Sequence, residues 1–152
     1  MTTVQDVPAE PLIMHAAEKL QERDEVQSPD WAPFARTGAH TERIPEQENW
    51  WFIRAAAVLR KVYIYGPIGA ERLSALFGGK RNRGVKPSHA VKGSRNVIRT
   101  VLQQLEAANL VHQQNEGDGR TVTPEGQKFL DDIAHEVQQD LLDETPELAK
   151  YA

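Results

Sequence analysis

Cysteine is absent from the 152 residues, which excludes a disulfide framework and thiolate metal sites and favours a cytosolic over a secreted setting. No uncharged apolar run approaches the ~20 residues of a membrane helix. The opening MTTVQDVPAE also lacks the basic and apolar regions of a signal peptide, so a soluble, unprocessed chain is expected. Aromatic residues make up only 7%, within a hydrophobic content of 39%, which is enough for one ordinary core and one domain. Catalytic signatures are missing too. The five histidines (15, 40, 89, 112 and 135) are scattered without metal-ligand spacing, and neither a nucleophile elbow nor a phosphate-gripping GxxxxGK occurs. No catalytic residue, metal, cofactor or small-molecule substrate is expected. Gly66-Pro67-Ile68-Gly69 matches the GxxG of a KH domain by letter, but it joins two helices without flanking strands and reads as a plain turn.

What the chain does have is a segregated charge. The net charge of -4 argues at first against a polyanionic partner. Yet Asn49 to Leu105 holds eleven of the 18 basic residues (Arg54, Arg60, Lys61, Arg72, Lys80, Arg81, Arg83, Lys86, Lys92, Arg95, Arg99) and one acid, Glu71, a net of +10. The rest carries seven basic and 21 acidic residues, concentrated in Asp6 to Asp30 and Asp131 to Glu147. A basic middle between acidic ends suits nucleic-acid binding in a cell of high internal salt, where carboxylated surface is the norm and only close phosphate contacts count.

Apolar spacing sets the expected elements. Leu12, Ala16, Ala17 and Leu20 mark a surface helix from Pro11 to about Asp24, and Ser28-Pro29 signals a short helix through Trp31 and Phe34 to Gly38. A polar loop follows to Glu48. From Glu48 to Tyr65 the stripe Trp51, Ala55, Val58 and Val62, with Phe52, Leu59 and Tyr63 beside it, predicts the core helix. A short helix over Ala70 to Leu76 ends at Gly78-Gly79, and residues 78–93 read as a long loop. Ser94 caps a helix to about Asn109 that buries Val97, Ile98, Val101, Leu102 and Leu105. Short extended runs at 110–112 and 120–122 flank a glycine-rich turn, forming a hairpin wing. Thr123-Pro124 opens a last helix on Phe129, Leu130, Ile133 and Val137 that frays into an acidic tail, 139–152. The expected architecture is mainly α: a winged-helix-like domain over about 48–138 with a small β-hairpin wing, the N-terminal helices of 10–38 packed on it, and 1–138 forming one domain.

The segment GGKRNRGVKPSHAVKG, 78–93, places five cations among four glycines with no acid, which suits close approach to a phosphate chain; the alternative is a solvated loop without a partner. Arg95 and Arg99 extend that surface along one helical face, or form an ordinary solvated face. Trp50, Arg54 and Lys61 fall away from the Trp51 stripe, offering a ring and two cations to RNA, although Trp50 equally suits packing beneath the N-terminal helices. His89 is placed either to hydrogen-bond RNA or to cap the next helix.

Five pieces occur in an order that is hard to reach by chance: Glu48-Asn49-Trp50-Trp51-Phe52 with Arg54-Ala55-Ala56; Phe77 through His89; Gly93-Ser94; Val101 through Glu106; and Gly119-Arg120 with Thr123 through Gln127. On these the chain, from about Val4 to Val137, resembles the archaeal and eukaryotic small-subunit ribosomal protein nineteen family, unrelated to the bacterial protein of that number. The resemblance implies a helical winged-helix-type fold, a place in the head of the small subunit against its rRNA and beside neighbouring ribosomal proteins, and a role in maturing that subunit. It also implies rRNA contacts at Arg54, Lys61, Lys80, Arg81, Arg83, Lys86, Ser88, His89, Lys92, Arg95 and Arg99. Eukaryotic members tend to end in a lysine-rich tail, whereas this chain ends in LLDETPELAKYA. Its acidic ends and its eleven Arg against seven Lys look like a salt-loving archaeon. Two rival readings are a winged-helix DNA-binding regulator and a protein-interaction module using the acidic helices. Against the regulator stand Glu116 and Asp118 in the wing turn, which would repel DNA.

Overall fold

The longest apolar stripe of the sequence becomes the central helix. In a computed structural model describing residues 1–151, the chain forms α1 (Ala9–Gln21), α2 (Trp50–Tyr65), α3 (Ala70–Leu76), β1 (Gly79–Arg83), β2 (Lys86–Val91), α4 (Arg95–Ala107), β3 (Val111–His112), β4 (Thr121–Val122) and α5 (Pro124–Glu144). The architecture is mainly helical, with β1–β2 and β3–β4 as two separate antiparallel pairs.

Each helix buries the face its spacing marks. Trp51, Ala55, Val58, Leu59 and Val62 of α2 are fully enclosed, and Leu12, Ala16, Ala17 and Leu20 of α1 pack on them. α4 supplies Val97, Ile98, Val101, Leu102 and Leu105, and α5 supplies Leu130, Ile133, Ala134 and Val137. Trp51 is the keystone: Trp31 and Trp50 meet it edge-on with ring centroids 5.5 Å away, and its Nε1 donates to Gln104 Oε1 of α4 at 2.8 Å. Aromatic pairs in this T-shaped arrangement gain about 0.5–1.5 kcal/mol beyond their buried area.

The helix ends follow local chemistry. Ser94 Oγ accepts from the Val97 N–H at 3.3 Å, and Thr123 Oγ1 accepts from the Gly126 N–H at 3.0 Å with Pro124 opening α5. α4 stops in a Schellman turn. Asn109 takes a φ of 59°, its N–H bonds to Glu106 O, and the Leu110 N–H bonds to Leu105 O, both at 3.0 Å. That turn delivers Leu110 and Val111 to the core and starts β3. The expected wing pair forms, with Val111 opposite Val122 and His112 opposite Thr121, and Ile68 adds a bridge to Arg120 on its far edge.

Three expectations are corrected. Residues 78–93 are not a loop: β1 and β2 form an antiparallel ribbon in which Lys80 faces Ala90 and Arg81 faces His89. The cap-and-proline signal at Ser28-Pro29 yields only a 3-10 turn, Ala32–Phe34, because Ala32 alone in it is buried and no apolar stripe follows to hold a longer helix. The last helix does not fray after Val137. It runs to Glu144, and beyond it Leu148 and Tyr151 line a small cavity with Val7, Leu141 and Leu142.

Candidate nucleic-acid interface

The β1–β2 ribbon is built without a core of its own. Every residue from Lys80 to Ala90 is exposed, so neither face is packed on the rest of the protein. Strands of five and six residues, rising ~3.4 Å per residue, give an arm of ~17–20 Å. Its tip is the two-residue turn Gly84-Val85 between the paired Arg83 and Lys86. Gly84 alone takes a positive φ, 70°, as glycine does at the first centre of a type II′ turn, and its N–H donates to Asn82 Oδ1 at 2.9 Å. Val85 is wholly exposed at that tip.

Strand alternation sorts the cations onto both faces. Lys80, Asn82, Lys86 and Ser88 line one shallow concavity. Arg81 and its cross-strand partner His89 take the other face. An isolated two-stranded ribbon is marginal in water, and an array of cations along both of its faces lowers its intrinsic stability further.

The base of the ribbon is clamped where the tip is free. Gly93 forms an antiparallel bridge with Gly38, its N–H donates to Ser74 O at 2.8 Å, and the Ser94 N–H donates to Thr37 O at 2.8 Å. At Gly78 the neighbouring backbone comes so near that a Cβ would sit 2.1 Å from Val91 O, so only glycine fits. Ser74, fully buried, steadies this corner by donating its hydroxyl to Glu71 O at 2.6 Å.

Lys92 and Arg95 leave the clamp side by side and converge on Glu71, the single acid of the basic segment. Lys92 Nζ bonds one carboxylate oxygen and Arg95 reaches the other at 2.8 Å. Those two donors, Lys92 first, hold the Glu71 carboxyl below its ordinary value of 4.5. A depressed carboxylate pKa means that the pairing is complete above the ordinary value and lost as pH falls through the lowered one. In a carboxyl-resolved NMR titration Glu71 is expected to titrate below the ordinary range, and to return to it in the double variant Lys92→Gln, Arg95→Gln; an unchanged titration would show that the pairing does not form in solution. Arg99, one turn further along α4, is exposed.

Arg54 and Lys61 sit apart from this exposed set. Arg54 is half-buried with its guanidinium over the Phe77 ring, 4.6 Å from the centroid, and desolvation lowers its pKa. No carboxylate pairs with it among the described residues. Lys61, two turns on, lies over Tyr65 at 5.4 Å, half-buried. Trp50 does not offer its ring freely: it is 8% exposed and packs on Trp51. The structure therefore brings Lys80 to Lys92 and Arg95 onto one projecting unit, with Arg54 at its root beside Phe77, and leaves Lys61 further along α2. Sequence reasoning missed Glu71 as a shared partner, Phe77 as the lid on Arg54, and Arg43, which comes from the polar loop before α2 to line a groove with Arg54. Only Glu71 gave a signal, as a lone acid among eleven cations.

The model of the family described as ribosomal protein S19e matches residues 3–140. The chain belongs to the ribosomal protein S19e family. Similar S19e proteins include the small ribosomal subunit protein eS19 of Haloarcula marismortui, 45% identical over 156 residues and spanning 100% of both chains. That of Aeropyrum pernix is 44% identical over 153 residues, with 99% of each chain covered. The small ribosomal subunit protein eS19G of Ascaris suum is 36% identical over 138 residues, covering 91% of this chain and 93% of its own. S19e proteins are structural ribosomal proteins, and the chain is not an enzyme. The S19e match takes in the ribbon, its clamp and α4 entire, and ends inside α5.

Proposed function

We propose that the protein is a structural constituent of the small ribosomal subunit, seated in its head, where the ribbon and the N-terminal end of α4 clamp rRNA backbone and help the subunit mature. The observation that carries this reading is the ribbon itself: an arm with no apolar face, cations on both sides and a fixed base needs a polyanion to cover it. The S19e relatives, named as small-subunit proteins over their full lengths, support the placement. Ser88 and His89 add hydrogen-bonding groups to the cations of Lys80, Arg81, Arg83 and Lys86, while neighbouring ribosomal proteins meet the acidic faces of α1 and α5. The fold is read as a winged helix over about 48–138, with α2, α3 and α4 as its three helices and β3–β4 as its wing. The Ile68–Arg120 bridge supports this by supplying the third, short strand position between the first two helices. Residues 1–138 are read as one domain and 139–152 as its acidic extension, supported by α1 packing on both α2 and α5.

A DNA-binding regulator would need α4 and the wing as the basic surface. Instead the wing turn presents exposed Glu116 and Asp118, and the exposed cations precede α4 on the ribbon without continuing into the wing. The test is sedimentation of native extract at the cell's own salt, following this chain before and after ribonuclease. Comigration with small subunits that ribonuclease abolishes is expected. A free or DNA-associated pool with none in subunits would overturn the reading.

A further inference from the structure

Beside the root of the ribbon, a groove of about 410 Å³ opens between α2 and the loop that precedes it. Its walls include Arg43, Trp50, Ile53, Arg54 and Phe77, with Thr37 at the clamp end, and none of its lining residues is acidic. We propose that this groove takes one unstacked nucleotide from the RNA strand that runs along the ribbon, the base against the Arg54–Phe77 platform and its phosphate on Arg43. The proposal rests on the RNA-binding reading of the ribbon and adds to it a single-nucleotide pocket.

Several independent observations converge on a nucleotide. Two cations without a carboxylate give the groove a charge opposite to that of the chain as a whole, which is -4. Arg54 has lost much of its water and gained no ion-pair partner, a state that favours an incoming anion or a base edge rich in acceptors. Its guanidinium already lies over an aromatic ring that also lines the groove, so a flat base entering there meets the guanidinium and the Phe77 ring together. The volume lies within the ~300–1,000 Å³ of small-ligand pockets, large enough for one nucleotide and too small for a duplex. Position completes the case: Phe77 is two residues before β1, and the Thr37 carbonyl holds the clamp. A strand held by Lys80 and Lys92 therefore passes the mouth of the groove. Single-stranded RNA is recognised in this manner, by splayed bases stacked on aromatic rings and guanidinium planes.

The test is ultraviolet crosslinking of intact small subunits carrying the full chain, with trypsin digestion and mass spectrometry of the nucleotide–peptide adducts. An adduct on Phe77, within the peptide Leu73–Lys80, or on Trp50 is expected. It should fall about ten-fold in Arg54→Lys, which keeps the charge but loses the planar platform, and in Ala57→Leu, which narrows the groove. Circular dichroism of each variant must match the parent. Adducts confined to residues 81–92 would overturn the groove and leave the ribbon reading standing. A Phe77 adduct undiminished in both folded variants would overturn it as well, since the base would then reach the ring from outside. Absence of this chain from subunits would overturn both readings together.

Discussion

Trp51→Ala is expected to cost about 3–5 kcal/mol of folding stability, the range for deleting a large buried aromatic. The side chain is fully enclosed at the junction of α2, α4 and the N-terminal segment, and its loss strands two aromatic neighbours, Trp31 and Trp50. It also removes the donor to Gln104 Oε1, whose own Nε2 donates at 2.8 Å to Gln27 O and so ties α4 to the segment before Trp31. Total stabilities of domains run to about 5–15 kcal/mol, so this one change takes a large share. Calorimetry should show a midpoint lower by roughly 10 °C. Trp51→Phe, which keeps much of the volume but not the donor, is expected to cost about 1–2 kcal/mol. Near-equal losses in the two variants would mean that the hydrogen bond to Gln104, and not the packing, holds this junction.

The second large effect is on binding and leaves stability alone. Replacing Lys80, Arg81, Arg83 and Lys86 together by glutamine should weaken binding to small-subunit rRNA by about two to three powers of ten near 0.1 M salt. The dependence of log affinity on log salt should flatten by about three units, since each phosphate contact contributes about 0.7–0.9. All four side chains are exposed and none makes an ion pair among the described residues, so the thermal midpoint should hold within about 1–2 °C. Filter binding over a salt series, with a melt of the same preparation, measures both. An unchanged salt slope would show that the ribbon carries no phosphate contacts.

How far the sequence could be read depended on whether a segment is organised by burial. α2, α4 and α5 were legible because Trp51, Val58 and Val62, or Val97, Val101 and Leu105, repeat at helical spacing and all go inside. The caps at Ser94 and Thr123 were legible because they act through the next three residues of chain. The ribbon was not, since a strand is recognised by an apolar alternation and this one buries neither face. Pro87 and the flanking glycines then suggested a loop, although proline is tolerated on a strand with no inner neighbour. The cationic site was legible as a cluster, from Lys80 to Arg99, but its wiring was not. Arg54 was placed on an open face by the helical wheel of α2, and only the tertiary fold brings Phe77 over it and Arg43 beside it. The convergence of Lys92 and Arg95 on Glu71 spans more than twenty residues and has no local signature.

The clamp at Gly78, Gly93 and Ser94 has a thermodynamic and kinetic consequence. Because backbone hydrogen bonds anchor the outgoing end of the ribbon to Ser74 and Thr37 through Gly93 and Ser94, and the incoming end through the Gly78 N–H to Ala75 O at 3.3 Å, its direction relative to α2 and α4 is set when the chain folds. The orientational entropy of aiming the arm is thus lost once, during folding, and is not charged against association. What remains to be ordered on contact is the long cationic side chains. Encounter with a polyanion then resembles seating a preset peg, with most of the discrimination between sites falling on the dissociation rate.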